Sequence, residues 1–317
     1  MDAKRAQDIL KHITKDKDYG FTMIEKMTIG EVVDIVNILL PNCLKEAEKS
    51  NNANDVGFFN SMIDRYRAVA VKKIMAKDRF WIAYSDLTGY PYMIDHDEIV
   101  LYDFKKADEI VDRLNKAGYG VTFGEVDSRT FKMELGHMYR NGYKRVRFMD
   151  GVHEPLIVEK EEVYPYEDFY GEDTILNPGL EASMIDFFQE FRKKASLANR
   201  EQILKKREDV MLDMIKNAEY MVPCIKTETE EKVEIQHPYI DLTGKISPSE
   251  GEDKVIAIPA FTDGYELNKC YEGHHEDMLY KYDELVSLVD ELGASGIIIN
   301  ALGISYYLRK DLFAKIK

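Results

Sequence analysis

A chain of 317 residues with 45% hydrophobic and 32% charged side chains carries enough apolar material for ordinary folded cores, which excludes disorder as its main state. Its formal net charge of -15 argues against nucleic acid and anionic membrane as partners, since both would be repelled. The charge is uneven: residues 1–79 hold 14 Lys and Arg against 12 Asp and Glu, whereas residues 80–317 hold 29 against 46.

In chain order, residues 1–77 read as a helical segment. Thr28 and Glu31 have the spacing of a capping box, and the apolar run from Val32 to Leu40 ends at Pro41, predicted to kink or stop the helix. The polar break 50–55 precedes a second helix with Phe59, Met62, Ile63, Tyr66, Val69 and Ala70 on one face. From Phe80 the period changes. Strands are predicted at Phe80–Tyr84, Glu98–Tyr102, Gly120–Glu125, Lys144–Met149 and Leu156–Val158, with helices at Lys105–Asn115 and Ser128–Asn141, the latter closed by Gly142. Residues 164–179, rich in Tyr, Pro, Gly and acid, read as a linker or ordered surface loop. Helices follow from Leu180 to about Lys216, broken near Ala195–Asn199. The end reads as strand Tyr220–Cys224, a turn-rich insertion with a short strand near Val233–Ile235, strand Val255–Pro259, helix Asp263–Lys269, helix Tyr282–Leu292 and strand Gly296–Asn300.

These last elements repeat the order of the earlier block. Phe104 and Phe261, Gly142 and Gly293, and Gly151 and Gly303 lie 157, 151 and 152 positions apart, and 158–163 stands opposite 308–313. The expected fold is therefore α+β: two similar mixed-sheet units arising by internal duplication, preceded by a helical segment. The expected division is 1–77, 78–179 and 180–317.

Glu219-Tyr220-Met221-Val222-Pro223, Ile256-Ala257-Ile258-Pro259-Ala260-Phe261-Thr262-Asp263, Tyr282-Asp283-Glu284-Leu285-Val286 and Gly296-Ile297-Ile298-Ile299-Asn300-Ala301-Leu302-Gly303 carry a resemblance. They resemble the N-terminal domain of the bacterial SseB family, in which a strand ending in P-x-F-T precedes a helix and a G-x-x-x-N-P strand and turn. Here Ala301 stands in place of that proline. The resemblance covers about residues 205–317, and residues 80–163 look like a divergent relative. It implies a small α+β domain and no established reaction, cofactor or catalytic residue.

The residues offer no catalytic constellation of their own. His274 and His275 are weak candidate metal ligands, but adjacent side chains do not easily face one ion and no HExxH or CxxC completes a set; a solvated loop is the expectation. Asp95-His96-Asp97-Glu98 reads as hairpin turn chemistry before acid–base chemistry. The glycines of 118–124 flank a strand that follows a helix, the wrong order for a phosphate loop. Ser183 and Ser305 lack a GxSxG setting. Cys43, Cys224 and Cys270 are too few and too scattered for a disulfide framework. The first 18 residues lack the continuous apolar core of a signal peptide, and no run approaches the roughly 20 apolar residues of a membrane span, so a cytoplasmic setting is expected.

Trp81, Tyr84, Tyr90, Tyr92, Tyr166 and Tyr170, with Phe261 and Asn300, are the expected interaction surface, although strands recruit aromatics for packing as well. The functional expectation is a non-enzymatic protein-interaction or regulatory module, with a protein or small ligand as partner and no cofactor. The alternative is an enzyme or small-ligand-binding protein with its site between the two units.

Overall fold

The computed structural model describes residues 3–15, 21–103, 106–193, 199–228, 233–247, 254–271 and 276–316. The fold is α+β, with a helical N-terminal stretch and mixed sheets. Its contacts divide it into two units, Met1–Gly136 with Lys144–Phe169, and His137–Tyr143 with Tyr170–Lys317. The N-terminal helices group with the first sheet.

The first unit opens with helices α1 (Ala3–Lys15), α2 (Phe21–Lys26), α3 (Ile29–Asp34), α4 (Leu40–Lys49) and α5 (Ala53–Met75). The capping box forms: Thr28 Oγ1 accepts the Glu31 N–H, and the Glu31 carboxylate accepts the Thr28 N–H. Pro41 does not stop the helix. A π turn, Ile35–Leu39, precedes it, with the Leu40 N–H bonded to the Ile35 carbonyl, and Pro41 falls in the first turn of α4, where a missing donor matters least. Then come β1 (Arg79–Ser85), β2 (Met93–Ile94), β3 (Asp97–Leu101), α6 (Ala107–Lys116), β4 (Val121–Asp127), α7 (Ser128–Asn141), β5 (Arg145–Met149) and β6 (Leu156–Glu159). The sheet order is β4-β1-β3-β5-β6, with β3 and β5 parallel and the other neighbours antiparallel. Asp95 and His96, both at positive φ, form the two-residue turn between β2 and β3, as hairpin chemistry requires. Under α7 the rings of Phe80, Phe131 and Phe148 pack in the core.

The second unit adds α8 (Pro178–Phe191), α9 (Arg200–Asn217), β7 (Glu219–Glu228), β8 (Val233–Gln236), β9 (Ile240–Asp241), β10 (Ile256–Ala260), α10 (Gly264–Cys270), β11 (Glu276–Lys281), α11 (Tyr282–Leu292), β12 (Gly296–Ile299) and β13 (Tyr306–Arg309). Strand β11 falls where the sequence predicts a loop. Its Glu-Asp-Met-Leu-Tyr-Lys run has no β-branched residue to mark it, yet it pairs with β7 over six positions. Strand β10 runs parallel to β12, which pairs with β13, while Met221 and Phe261 join β7 to β10 by a pair of reciprocal 2.9 Å hydrogen bonds. Sheets β13-β12-β10-β9 and β11-β7-β8 are thus joined by that bridge into the order β11-β7-β10-β12-β13, with β9 paired to the start of β10 and β8 to the distal part of β7.

Strand for strand, the two sheets share order and register. Arg79 faces Asp127 as Glu219 faces Lys281; Trp81 faces Leu101 as Met221 faces Phe261. Asp97 lies beside Arg145 as Ala257 lies beside Gly296, and Arg145 faces Glu159 as Gly296 faces Arg309. Each inner strand keeps one offset in both its ladders: 140 from β1 (Arg79) to β7 (Glu219), 160 from β3 (Leu101) to β10 (Phe261), and 151 from β5 (Arg145) to β12 (Gly296). This register gives Leu101, not Phe104, the place of Phe261; Phe104 lies outside the described residues.

Candidate functional site

Parallel strands β3 and β5, and likewise β10 and β12, end side by side, and such carboxyl ends are where open α/β sheets gather functional side chains. In the second unit, Thr262 and Asp263 follow β10 and Asn300 follows β12. Asn300 Oδ1 accepts the Thr262 N–H at 3.0 Å, and its Nδ2 donates to Glu181 Oε1 of α8 at 2.5 Å. Thr262 Oγ1 donates to the same oxygen at 2.5 Å. Beside them Asp263 caps α10 by accepting the Glu266 N–H, and Arg140 Nη1 bonds Glu266 Oε1 at 2.7 Å and Asp263 Oδ2 at 3.4 Å. Lys269 reaches Glu266 Oε1 at 2.7 Å.

None of Arg140, Glu181, Thr262, Asp263, Glu266 and Asn300 is more than 4% exposed. Burial pushes the Glu181 carboxyl up to about 7, helped by neighbouring Glu266. Burial also raises Asp263, against the pull of Arg140. For Arg140 burial works against the charge, but Asp263, Glu181 and Glu266 outweigh it and hold the guanidinium more firmly protonated. The network locks the strand ends, α10 and the end of α7 together, and it meets solvent through Lys269, whose side chain is 28% exposed.

At the matching place in the first unit, Tyr102 follows β3 and Asp150 follows β5. Asp150 Oδ1 accepts the N–H groups of Val152 and His153 at 2.9 Å each, and Oδ2 lies 2.7 Å from His153 Nδ1. These bonds hold Asp150 below the usual carboxylate range although burial works the other way. Burial and the Asp150 carboxylate, which hydrogen-bonds it, push the Tyr102 phenol up. His153 Nε2 lies 4.0 Å from Asp34 Oδ2, and a Cβ on Gly30 would stand 2.2 Å from the imidazole Cε1, so α3 approaches the ring only because residue 30 is glycine. The His153 side chain is 28% exposed, so this cluster opens to solvent at one point. Deeper in the same unit, Glu98 is wholly buried with neither carboxyl oxygen hydrogen-bonded, and burial, then Glu134, raises its pKa well above the usual value.

The third feature is a ribbon. Strand β7 continues past Ile225, the residue matching the end of β1, and turns back as β8, with Ile225 opposite Gln236, Lys226 opposite Ile235, Thr227 opposite Glu234 and Glu228 opposite Val233. All four β8 residues are exposed, and Ile225, Val233 and Ile235 are 60%, 57% and 43% accessible. Three large aliphatic side chains standing in water on one hairpin form the clearest surface feature of the second unit.

The residues expected to form one interaction surface are dispersed. Trp81 and Tyr84 lie on opposite faces of β1, both half-buried, with the Tyr84 ring against Gly124. Tyr90 is half-buried in the following turn, and Tyr92 is buried, edge-on to Tyr119. Tyr166 sits in a short 3-10 turn, half-buried, as is Tyr170. Phe261 and Asn300 are 0% exposed, so they belong to the interior rather than the surface. His274 and His275 lie outside the described residues. Nothing in the sequence marked Glu181, Arg140 or Asp34, whose partners are far off in the chain, nor His153, although its partner Asp150 lies only three residues before it. The ribbon did carry a signal: isolated Ile and Val within an acidic, threonine-rich run. Among the described residues no group of three His, Cys, Asp or Glu is arranged to hold a metal ion, and no helix is long and apolar enough to cross a membrane. No family model, curated protein or solved structure matches the chain.

Proposed function

We propose that the chain is a bacterial, cytoplasmic, non-enzymatic protein-interaction module, SseB-like and built from two diverged copies of one unit. The shared strand order and ladder offsets support the duplication. So do the helices before each sheet: buried Val71 of α5 and buried Met211 of α9 keep the 140-residue offset of the strands that come after them. In each unit a buried acid from a preceding helix, Asp34 or Glu181, approaches the residue after the first parallel strand, Tyr102 or Thr262.

One observation carries the interaction reading. The ribbon belongs to the second unit alone, since β1 stops at Ser85, and it exposes apolar side chains that make no contribution to a core. The test is affinity capture with the intact chain and with a double variant, Ile225→Lys with Ile235→Lys, both exposed positions where lysine leaves the fold intact. Proteins retained by the first and lost by the second support the module; identical or empty captures overturn it.

A second reading, small-ligand binding or catalysis, rests on the partly open Asp150–His153 pair. A thermal-shift screen against amino acids and nucleotides tests it, because a ligand that binds only the folded state raises its melting temperature. A shift abolished by His153→Gln supports it, and a panel without shifts counts against it.

A further inference from the structure

Glu181 differs from the other carboxyls gathered around Arg140. Asp263 and Glu266 each bond the guanidinium, and Glu266 also takes the Lys269 ammonium. Glu181 is bonded to no cation: Oε1 meets Thr262 Oγ1 and Asn300 Nδ2, and Oε2 has no hydrogen-bond partner. The groups that face it are Thr262 and Asp263 after β10, Asn300 after β12, Glu266 of α10 and Arg140 of α7. Asp263 and Glu266 with Arg140 and Lys269 make two negative and two positive charges. A charged Glu181, 0% exposed, leaves the cluster one negative charge in excess, whereas a neutral Glu181 leaves it balanced.

We propose that Glu181 is a proton-operated lock within the second unit: neutral, it pins α8 to the ends of β10 and β12, and loss of its proton loosens that joint. The hydrogen bonds serve both forms. With Glu181 ionised, the Thr262 hydroxyl donates to Oε1. With the proton on Oε1, that oxygen donates to Thr262 Oγ1, whose own proton turns to Asn300 Oδ1 at 3.3 Å. In both forms Asn300 Oδ1 accepts the Thr262 N–H. Burial, then Glu266, pushes the Glu181 carboxyl up to about 7, which sets the pH at which the lock turns. Between its ordinary 4.5 and 7 the closed joint holds a proton that the open one has released. Closure therefore weakens as pH rises through that interval and levels off above it.

The experiment reads hydrogen exchange of the full chain at α8 and at the Thr262 and Asn300 amides from pH 5.5 to 8.5, corrected for the intrinsic pH dependence of exchange. In parallel, carbon NMR follows the Glu181 Cδ, assigned by its absence from Glu181→Gln. The carboxyl resonance is expected to titrate near pH 7, and the opening constant of the joint to rise about tenfold between pH 6 and 8. Glu181→Gln, neutral at every pH and still offering an acceptor, is expected to abolish the rise. Thr262→Val removes the donor that favours the charged form and is expected to move both midpoints to higher pH, which keeps the test open if the glutamine variant fails to fold. A carboxyl already charged at pH 5.5, or one that titrates while protection at α8 stays constant, overturns the lock. An equal rise in Glu181→Gln also overturns it, because the responsible proton then belongs to another group.

Discussion

In the second unit the ends of the parallel strands are tied by buried Glu181, Arg140 and Glu266 into a network that reaches solvent through Lys269; in the first, the matching ends carry Tyr102, Asp150 and a His153 that reaches water. The backbone register is the same in both, so register does not dictate what the strand ends do. The difference comes from which buried group the preceding helix brings, and from the side chains placed just after the second parallel strand. In the second unit a glutamate meets an asparagine and a threonine, and in the first an aspartate stands near a histidine. The second unit then places its accessible apolar surface elsewhere, on the ribbon. One unit has its polar group near solvent and the other its apolar arm.

The largest expected effect is at Arg140. Arg140→Ala leaves Asp263 and Glu266 buried beside each other without the guanidinium, and breaking a buried pair in this way costs about 3–5 kcal/mol. His153→Ala at the matching site of the first unit removes a partly exposed side chain, and is expected to cost about 1 kcal/mol, as for an ordinary hydrogen bond. Urea unfolding, with hydrogen exchange read separately over β10–α10 and β5–β6, assigns each loss to its unit. Equal losses would erase the distinction between the buried ion-pair network and the Asp150–His153 pair.

Next come two glycines that end matching helices. Gly142 and Gly293 both have positive φ, at +75° and +64°, where an L-residue costs about 1–2 kcal/mol. They differ in surroundings: a Cβ on residue 142 would stand 2.0 Å from the Pro178 carbonyl oxygen, while one on residue 293 meets nothing within 4 Å. Gly293→Ala should therefore cost the conformational amount alone, and Gly142→Ala roughly 1–3 kcal/mol more, the usual penalty of overpacking. Thermal melts of the two variants check this; similar melting temperatures would mean the chain around Pro178 yields freely.

The α and β elements of the fold were legible because local chemistry wrote them. Thr28 and Glu31 marked a helix start, Gly142 and Gly293 helix ends, and the aromatic run at Phe80 a strand. Pro41, read as a kink or stop, does not stop the helix because a π turn lies just before it and places it in the first turn of α4. Strand β11 was missed because only its ladder to β7, more than fifty residues earlier, makes Glu276–Lys281 extended. The polar clusters were illegible for the same reason: Arg140, Glu181 and Glu266 each look like a solvated charge until the fold buries them. The aromatic residues expected at a surface showed the converse, since Tyr92 and Phe261 fill cores.

The last effect reverses sign. Glu98 on β3 has its counterpart 160 residues on in Ile258 of β10, a buried aliphatic residue, so Glu98→Ile replaces an unpaired buried carboxyl with the side chain the other unit already uses. Burial, and then Glu134, raise the folded-state pKa of Glu98 well above its ordinary 4.5. Over the interval between those two values the folded chain binds more protons than the unfolded one, so stability falls as pH rises and the loss is complete above the folded-state value. The gain from Glu98→Ile is therefore expected to be about 1–3 kcal/mol at pH 4, the scale of an unsatisfied buried polar group, and to grow as the pH rises to 8. Glu181, raised to about 7, gives a slope of the same sign in both proteins, so it cancels when variant and parent are compared at each pH. Denaturant titrations at pH 4, 6 and 8 measure the difference. A gain that does not change with pH would mean that Glu98 is ionised in the fold and held by a cation the first unit supplies, a relation with no parallel at Ile258.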